Sequence, residues 1–265
     1  MTVFAHFLRL QRLSLTIWTL AVVVLLAAVV GQTPAVTQDN AWQELLRNLP
    51  PAVQRITGGT LHAFARPVDA YLVAKLFNFL PLVLGIFAAL SAAAVVARER
   101  DRGTIEFLLS LPLDRRRLMR QRLLVVAFGL GLLYLATWAA LVVGLKAVGV
   151  AGSYGRYAVT LLGGWAVNLA QAGLVTLISL RVKEYVRAVR YGLALVVVAY
   201  LIDTALLAAN VWTWLRPFLL YGLVNAGEVV RTGQVPWAAL GVGLAVAGLS
   251  AWWAGGEFEH QQLHS

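Results

Sequence analysis

Long apolar runs without charge, separated by short charged segments, dominate this chain of 265 residues. Six of these runs are long enough to cross about 30 Å of hydrocarbon at 1.5 Å of rise per residue. They are continuous rather than alternating, which predicts helices and not the strands of a membrane barrel. The predicted spans are residues 13–31, 73–97, 121–145, 157–180, 190–209 and 235–255. We therefore interpret 1–265 as a single all-α membrane domain.

Composition and charge placement support this interpretation. Hydrophobic residues make up 60% of the chain and charged residues 13%, whereas soluble domains are about half apolar and a quarter charged. Of the 22 Lys and Arg, two lie in 1–12, eight in 98–122 and four in 181–190. The positive-inside rule then places both termini in the cytoplasm and the protein in the cytoplasmic membrane. The net charge of +10 is assigned to orientation and to contact with anionic lipid, not to nucleic acid.

Two predicted external connections are unusual. In the loop 32–70, apolar residues recur at helical spacing between positions 42 and 56. This pattern indicates either an amphipathic segment on the membrane surface or a packed external subdomain. The segment 210–236 is rich in aromatic residues but is broken by Pro217 and several glycines. We expect short re-entrant helices in an aromatic belt there, before span 6.

The predicted cytoplasmic connection 98–120, between spans 2 and 3, has the sequence features of a short helix. Gly103 permits a sharp turn. A helix that begins after Gly103 would end before Pro112. Between them, an apolar stripe at i, i+3 and i+4 is formed by Ile105, Leu108 and Leu109. The result is a short amphipathic helix flanked by charge. It could insert into a cleft of a cytosolic partner or lie on lipid headgroups, and the residues alone leave both open.

Residues 99–115 carry the pattern Glu-x-x-x-Gly-Thr-x-x-x-Leu-Leu-Ser-x-Pro-x-x-Arg. This pattern resembles the first cytoplasmic loop of ABC-2 type transporter permeases. Asp114 stands where that family often has Ser, and Arg122 stands where it usually has Lys. The Leu-Arg-Pro-Phe of 215–218 is similar, more weakly, to a family feature before the last span.

The resemblance implies a membrane subunit of an ATP-driven exporter that works by alternating access. Two permeases would pair, as a homodimer or a paralogous heterodimer, above two separate ATPase subunits that use ATP and Mg²⁺. The helix at 104–110 would be the coupling element. The residues implied to couple to the ATPase are Glu99, Arg100, Asp101, Arg102, Gly103, Thr104, Ile105, Glu106, Leu108, Leu109, Pro112 and Arg115.

The chain itself carries no sign of catalysis. None of its three lysines follows a glycine, so a phosphate-binding Gly-Lys pair is absent. There is no cysteine, and His260 and His264, four apart in the C-terminal tail, are interpreted as solvated rather than as metal ligands. We therefore expect no enzyme activity, no metal site and no cofactor bound by this chain.

Four polar residues in the predicted spans are candidates for a transport path. Asp203 is the only acidic residue inside a predicted span, where a charge is costly. It could be a substrate, proton or gating site. Alternatively, it could pair with Thr204 or with a polar residue on a neighbouring span, or lie near the external interface. Asn168 and Gln171 share a helix face and could line a path or bind helices together. Asn78 is expected at a kink made with Pro81.

Two alternatives to an exporter subunit stay open at this point. An ion-coupled carrier that uses no ATP would depend on Asp203. However, carriers commonly show interrupted helices in matching halves, and the sequence has one interrupted span without a counterpart. A non-transporting membrane scaffold is the other alternative.

Overall fold

The structure, a computed structural model, describes residues 3–38, 50–56, 64, 66–95, 97, 115–182 and 184–260. Within these ranges the chain is helical and has no strand. The helices are α1 (Val3–Gly31), α2 (Thr33–Gln38), α3 (Pro51–Ile56), α4 (Pro67–Leu72), α5 (Leu80–Ala94), α6 (Arg115–Ala147), α7 (Tyr154–Arg181), α8 (Tyr185–Ala209), α9 (Ala226–Thr232) and α10 (Trp237–His260). A π-helix occupies Val73–Phe77, and 3-10 turns occupy Thr213–Phe218 and Tyr221–Leu223.

Six stretches of the described residues are long and apolar enough to cross a membrane, which confirms the prediction of an all-α protein with six spans. Spans 1 to 6 are Gln11–Thr37, Pro67–Ala94, Met119–Ala147, Tyr154–Arg181, Tyr185–Ala209 and Trp237–Glu257. Span 4 is the most buried of the six and span 5 the least.

The bounds of spans 2 and 3 differ from the prediction. Span 2 begins at Pro67, not at 73, because Pro67 suits the first turn of a helix and the carboxylate of Asp69 is buried there among hydrogen-bond donors. The loop predicted at 32–70 is thus shorter at both ends, since Thr33–Gln38 also continues helically from span 1. Helix α6 likewise starts at Arg115, before the apolar run that predicted span 3. Charged first turns can be helical without adding to an apolar run.

The kink predicted at Asn78 and Pro81 coincides with a break in the regular α-helix of span 2. The π-helix closes with a bond from the Asn78 N–H to the Val73 carbonyl, 3.3 Å long, and the helix restarts at Leu80. Pro81 lies in the first turn of the new helix, where its missing N–H leaves no intrahelical bond unmade. A π-turn followed by proline is a known cause of a helix bend.

Span 4 lies at the centre of the bundle and packs most extensively against span 6. Glycines let the two backbones approach. A Cβ on Gly243 would lie 2.6 Å from the Ala166 carbonyl oxygen, and one on Gly173 would lie 2.9 Å from Ser250 Cβ. Spans 2, 3 and 5 also contact span 4, and span 1 packs on span 3. Small residues at helix crossings are the usual means of close packing in membranes.

The two ends of the bundle differ in character. At one, the basic end, Arg122 of span 3 contacts the end of span 2, and Arg181 of span 4 lies 3.5 Å from Glu257 of span 6. At the other, the aromatic end, the rings of Trp212, Trp214 and Trp237 are exposed. Span 6 also exposes two rings near the basic end, Trp252 and Trp253. Rings at both ends match the aromatic belts of membrane proteins.

We predict that Gly243→Ala destabilises the protein while Gly241→Ala does not. Both changes add the same methyl group to span 6, but nothing lies within 4 Å of a Cβ on Gly241. Overpacking a close contact typically costs about 1–3 kcal/mol. Thermal unfolding in detergent should show a lower midpoint for Gly243→Ala, and equal midpoints for the two variants would contradict this account of the crossing.

Candidate functional site

An ion pair joins span 5 to the segment that follows it. The guanidinium of Arg216 donates from Nε to Asp203 Oδ1 at 2.8 Å and from Nη2 to Oδ2 at 3.2 Å. The Asp203 side chain is 11% exposed and the Arg216 side chain 16%. Such two-point pairing fixes direction as well as distance. Asp203 was a candidate path residue in the sequence, whereas its partner Arg216 was not predicted.

A tight turn brings this partner back over the end of span 5. Asn210 ends the helix with φ 56°, a left-handed conformation that asparagine tolerates well. Trp212 also has a positive φ, 47°, which is strained for a bulky residue by about 1–3 kcal/mol. The 3-10 turn that follows carries Arg216. The ion pair therefore holds a strained return of the chain in place.

A partly open cavity of about 180 Å³, here called the polar cavity, lies beside this pair and is bordered by α3, by spans 2, 4 and 5 and by residues of the segment 210–236. This volume is large enough to hold several water molecules. Its polar lining includes Asn78, Tyr200, Asp203, Arg216, Tyr221 and Asn225. Polar side chains that surround a cavity inside a membrane protein are typical of a solute or ion path.

Two asparagines shape the cavity wall. Asn78, just after the π-helix of span 2, donates from Nδ2 to the Ile56 carbonyl at 2.7 Å and so ties α3 to the bend. Asn225 accepts from the Glu228 N–H at 3.2 Å and caps the first turn of α9. Two of the four predicted path residues, Asn78 and Asp203, thus meet at one cavity.

The other two predicted path residues lie deeper in the bundle. Asn168 is fully buried and donates to the Tyr134 hydroxyl of span 3 at 2.9 Å. Gln171 is also fully buried but lies by span 2, where its Oε1 is 2.8 Å from the position of a Cβ on Gly85. The hydroxyl of Tyr221 is 3.1 Å from the same point. The two amides therefore contact different neighbours, and the Gln171 side chain lies next to Tyr221, which lines the cavity.

The polar atoms of this inner group are enclosed but make few hydrogen bonds. Among the described residues, the amide of Gln171 and the hydroxyl of Tyr221 have no hydrogen-bond partner other than each other. Burial raises the pKa of Tyr221 well above its ordinary value, so its hydroxyl stays protonated and can donate. Buried groups of this kind favour a polar molecule beside them over an apolar one.

A second buried carboxylate was missed from the sequence. Asp69, in the first turn of span 2, is 1% exposed and accepts from the Ser153 hydroxyl at 2.9 Å and from the Tyr157 hydroxyl. It joins the start of span 2 to the start of span 4. Asp69 lies four residues before the predicted start of span 2 at position 73. The available signal in the sequence was a single acidic residue, Asp69, two positions after Pro67 and at the edge of an apolar run.

The segment predicted to couple to an ATPase lies almost wholly outside the described residues. This applies to Glu99 through Pro112, whereas Arg115 begins α6. The base of the segment is described. Arg122 donates from Nη1 to the Val95 carbonyl at the end of span 2, and its guanidinium lies 4.3 Å from the centre of the Phe7 ring. One arginine thus links span 3, span 2 and the N-terminal helix.

The comparison with known families decides the class of the protein. The family described as "ABC-2 family transporter protein" matches residues 5–217 of the 265. The chain belongs to the ABC-2 transporter family. It is therefore a multi-pass membrane permease subunit of an ABC transporter, not itself catalytic, in a family that associates with ABC ATPases. No curated protein matches the chain.

We predict that Asp203→Asn lowers the free energy of unfolding by about 3 kcal/mol, because Arg216 then stays buried without a counter-charge. The matched control is Glu184→Gln, which breaks an ion pair with Arg187 whose side chains are more than half exposed. Such a pair contributes at most about 1 kcal/mol. The measurement is thermal unfolding of each variant in the same detergent.

The double variant Asp203→Asn with Arg216→Gln tests the pairing itself. Removing both charges should recover part of the loss, since no unpaired charge remains. A double variant that loses the sum of the two single losses would show that the two residues act independently.

Proposed function

We propose that this chain is the membrane-spanning subunit of an ATP-driven exporter in the cytoplasmic membrane. Two permease copies, identical or paralogous, pair with two ATPase subunits and move a solute outward by alternating access. Membership of the ABC-2 family is the observation that carries this proposal. The arginine-rich connection between spans 2 and 3, and its described base at Arg122, support it.

The energy source lies in another polypeptide. The sequence has no phosphate-binding Gly-Lys pair, so ATP and Mg²⁺ are bound by the ATPase partner. The helix proposed at 104–110 docks on that partner through its apolar stripe, and the flanking charges set its orientation. The charge distribution favours this docking on the cytoplasmic side, where positively charged loops are retained.

The base of the coupling segment offers a route for the motion. A push on the segment reaches span 3 directly, span 2 through the Val95 carbonyl and the N-terminal helix through Phe7. Span 2 continues to the bend at Asn78, which lines the polar cavity. Movement of span 2 at the basic end therefore changes the cavity at the aromatic end.

The polar cavity is the proposed outer part of the transport path. The ion pair of Asp203 with Arg216 holds the segment 210–236 over it. Opening this part of the path requires the segment and span 5 to separate or to move together.

An ion-coupled carrier is the weaker proposal. A coupling carboxylate must be able to exchange its cation during transport. Asp203 already holds a guanidinium through two hydrogen bonds, and Asp69 is occupied by two hydroxyl donors. Neither carboxylate is arranged for exchange, and this favours coupling to ATP.

We predict that Leu109→Asp weakens the association with the ATPase by about tenfold or more. Burying a leucine side chain contributes about 1.5–3 kcal/mol, and 1.4 kcal/mol is a factor of ten. Phe107→Ser, off the proposed apolar stripe, is the control. The measurement is the amount of ATPase that co-purifies with the tagged chain from its own membranes. Absence of any ATPase from the wild-type preparation would sink the proposal.

We also predict that Arg122→Gln leaves ATP hydrolysis intact but separates it from movement of the spans. Arg122→Lys should retain part of the coupling, because the charge and one donor remain.

Since the chain has no cysteine, a spin label on a cysteine placed at the exposed Val211 reports the aromatic end without background labelling. The distance between labels on the two copies should change with ATP in the wild type and in Arg190→Gln, but not in Arg122→Gln. An unchanged response in Arg122→Gln would remove this arginine from the coupling route.

A further inference from the structure

A second cavity lies on the other side of the bundle, between spans 3, 4 and 6, and it is apolar. Its volume is about 300 Å³, and it is partly open to the surface of the spans. Leu124 at its rim is 58% exposed, while Leu169 and Ala172 at its floor are buried. Of the described residues that line it, Arg120 is the only charged one.

The groove follows from how the three spans pack. Spans 4 and 6 are in close contact where Gly173 meets Ser250. Beside this contact, the side chains that spans 3, 4 and 6 present to one another are short, so a space remains between the three helices. These short residues are Ala127, Ala172, Ala247 and Ala251.

Charge and shape are arranged along one direction. Arg120 lies in the first turn of span 3, at the basic end, and its side chain is exposed. The described residues include no ion-pair partner for it. The apolar part of the groove extends from Arg120 along the spans to Ala127. A ligand that fits this arrangement has an anionic group at the depth of the membrane surface and a hydrocarbon chain that points into the bilayer.

We propose that this groove binds an anionic phospholipid, with one acyl chain between spans 3, 4 and 6 and the phosphate on Arg120. Basic pockets between spans at a positively charged membrane face are suited to such headgroups. The lipid belongs to the leaflet that borders the basic end. The site is separate from the polar cavity and does not depend on the proposed export function.

A second copy of the chain is a poor occupant of the same groove. Copies related by a two-fold axis along the membrane normal present the same surface at the same depth. Each would bring its own exposed Arg120 to the contact, and like charges would face each other at close range. A phosphate instead meets an opposite charge.

The test uses the purified full chain in nanodiscs of zwitterionic phosphatidylcholine, into which phosphatidylglycerol is titrated. The readouts are the thermal unfolding midpoint and the number of lipids retained in native mass spectrometry. We expect phosphatidylglycerol to raise the midpoint and to be retained, and Arg120→Gln to raise the half-saturating lipid fraction about fivefold. That factor corresponds to about 1 kcal/mol for one basic residue at the membrane surface.

Two further variants separate this site from general surface charge. Arg190→Gln removes another exposed arginine at the basic end that does not line the groove and should leave half-saturation unchanged. Ala251→Phe fills the groove without changing charge and should weaken retention as Arg120→Gln does. Equal losses in the two arginine variants, equal stabilisation by both lipids, or a cysteine at Leu124 that cross-links two copies in high yield would each overturn the proposal.

Discussion

A polar group enclosed by apolar spans has to find its partner inside the protein, because lipid offers none. Three long-range contacts meet this constraint in the ABC-2 permease. Asp69 is satisfied by hydroxyls of the span 3–4 connection and of span 4, Arg122 by the last carbonyl of span 2, and Asp203 by Arg216. Each contact joins two separate elements, and those of Asp69 and Arg122 join elements that are distant in the chain. Apolar packing brings the spans together, and these contacts fix how their ends are connected.

Span 2 is the element on which both ends of the bundle depend. At the basic end its last carbonyl is held by Arg122, and at the aromatic end its first turn is held by Asp69. Between them lie the π-helix with its bend and Gly85, which lets Gln171 and Tyr221 come close. A helix anchored at both ends and weakened in its first half can bend there without breaking its connections. The end of the π-helix, at Phe77 and Asn78, lies beside the polar cavity.

Local patterns were enough to predict the number of spans, the irregular helix before Pro81 and the broken aromatic segment before span 6. They could not supply pairings across the fold. Asp203 stood out because it interrupts an apolar run, but its partner was overlooked although Arg216 is equally isolated in an apolar segment thirteen residues later. Asp69 was excluded from span 2 because hydropathy cannot show that two hydroxyls satisfy a carboxylate. Both omissions concern side chains whose burial depends on residues elsewhere in the chain.

The tryptophans of span 6 have a consequence for the surrounding membrane. Trp237 and Trp252 are 74% and 72% exposed, and fifteen residues of helix separate them by about 23 Å. Such rings settle at the interface between headgroups and hydrocarbon, whose two surfaces are about 30 Å apart in an undisturbed bilayer. A thinner bilayer beside this helix, or side chains that reach outward along the helix axis, would seat both rings. Span 6 therefore favours a locally thinner bilayer, next to the groove lined by its Ala247 and Ala251.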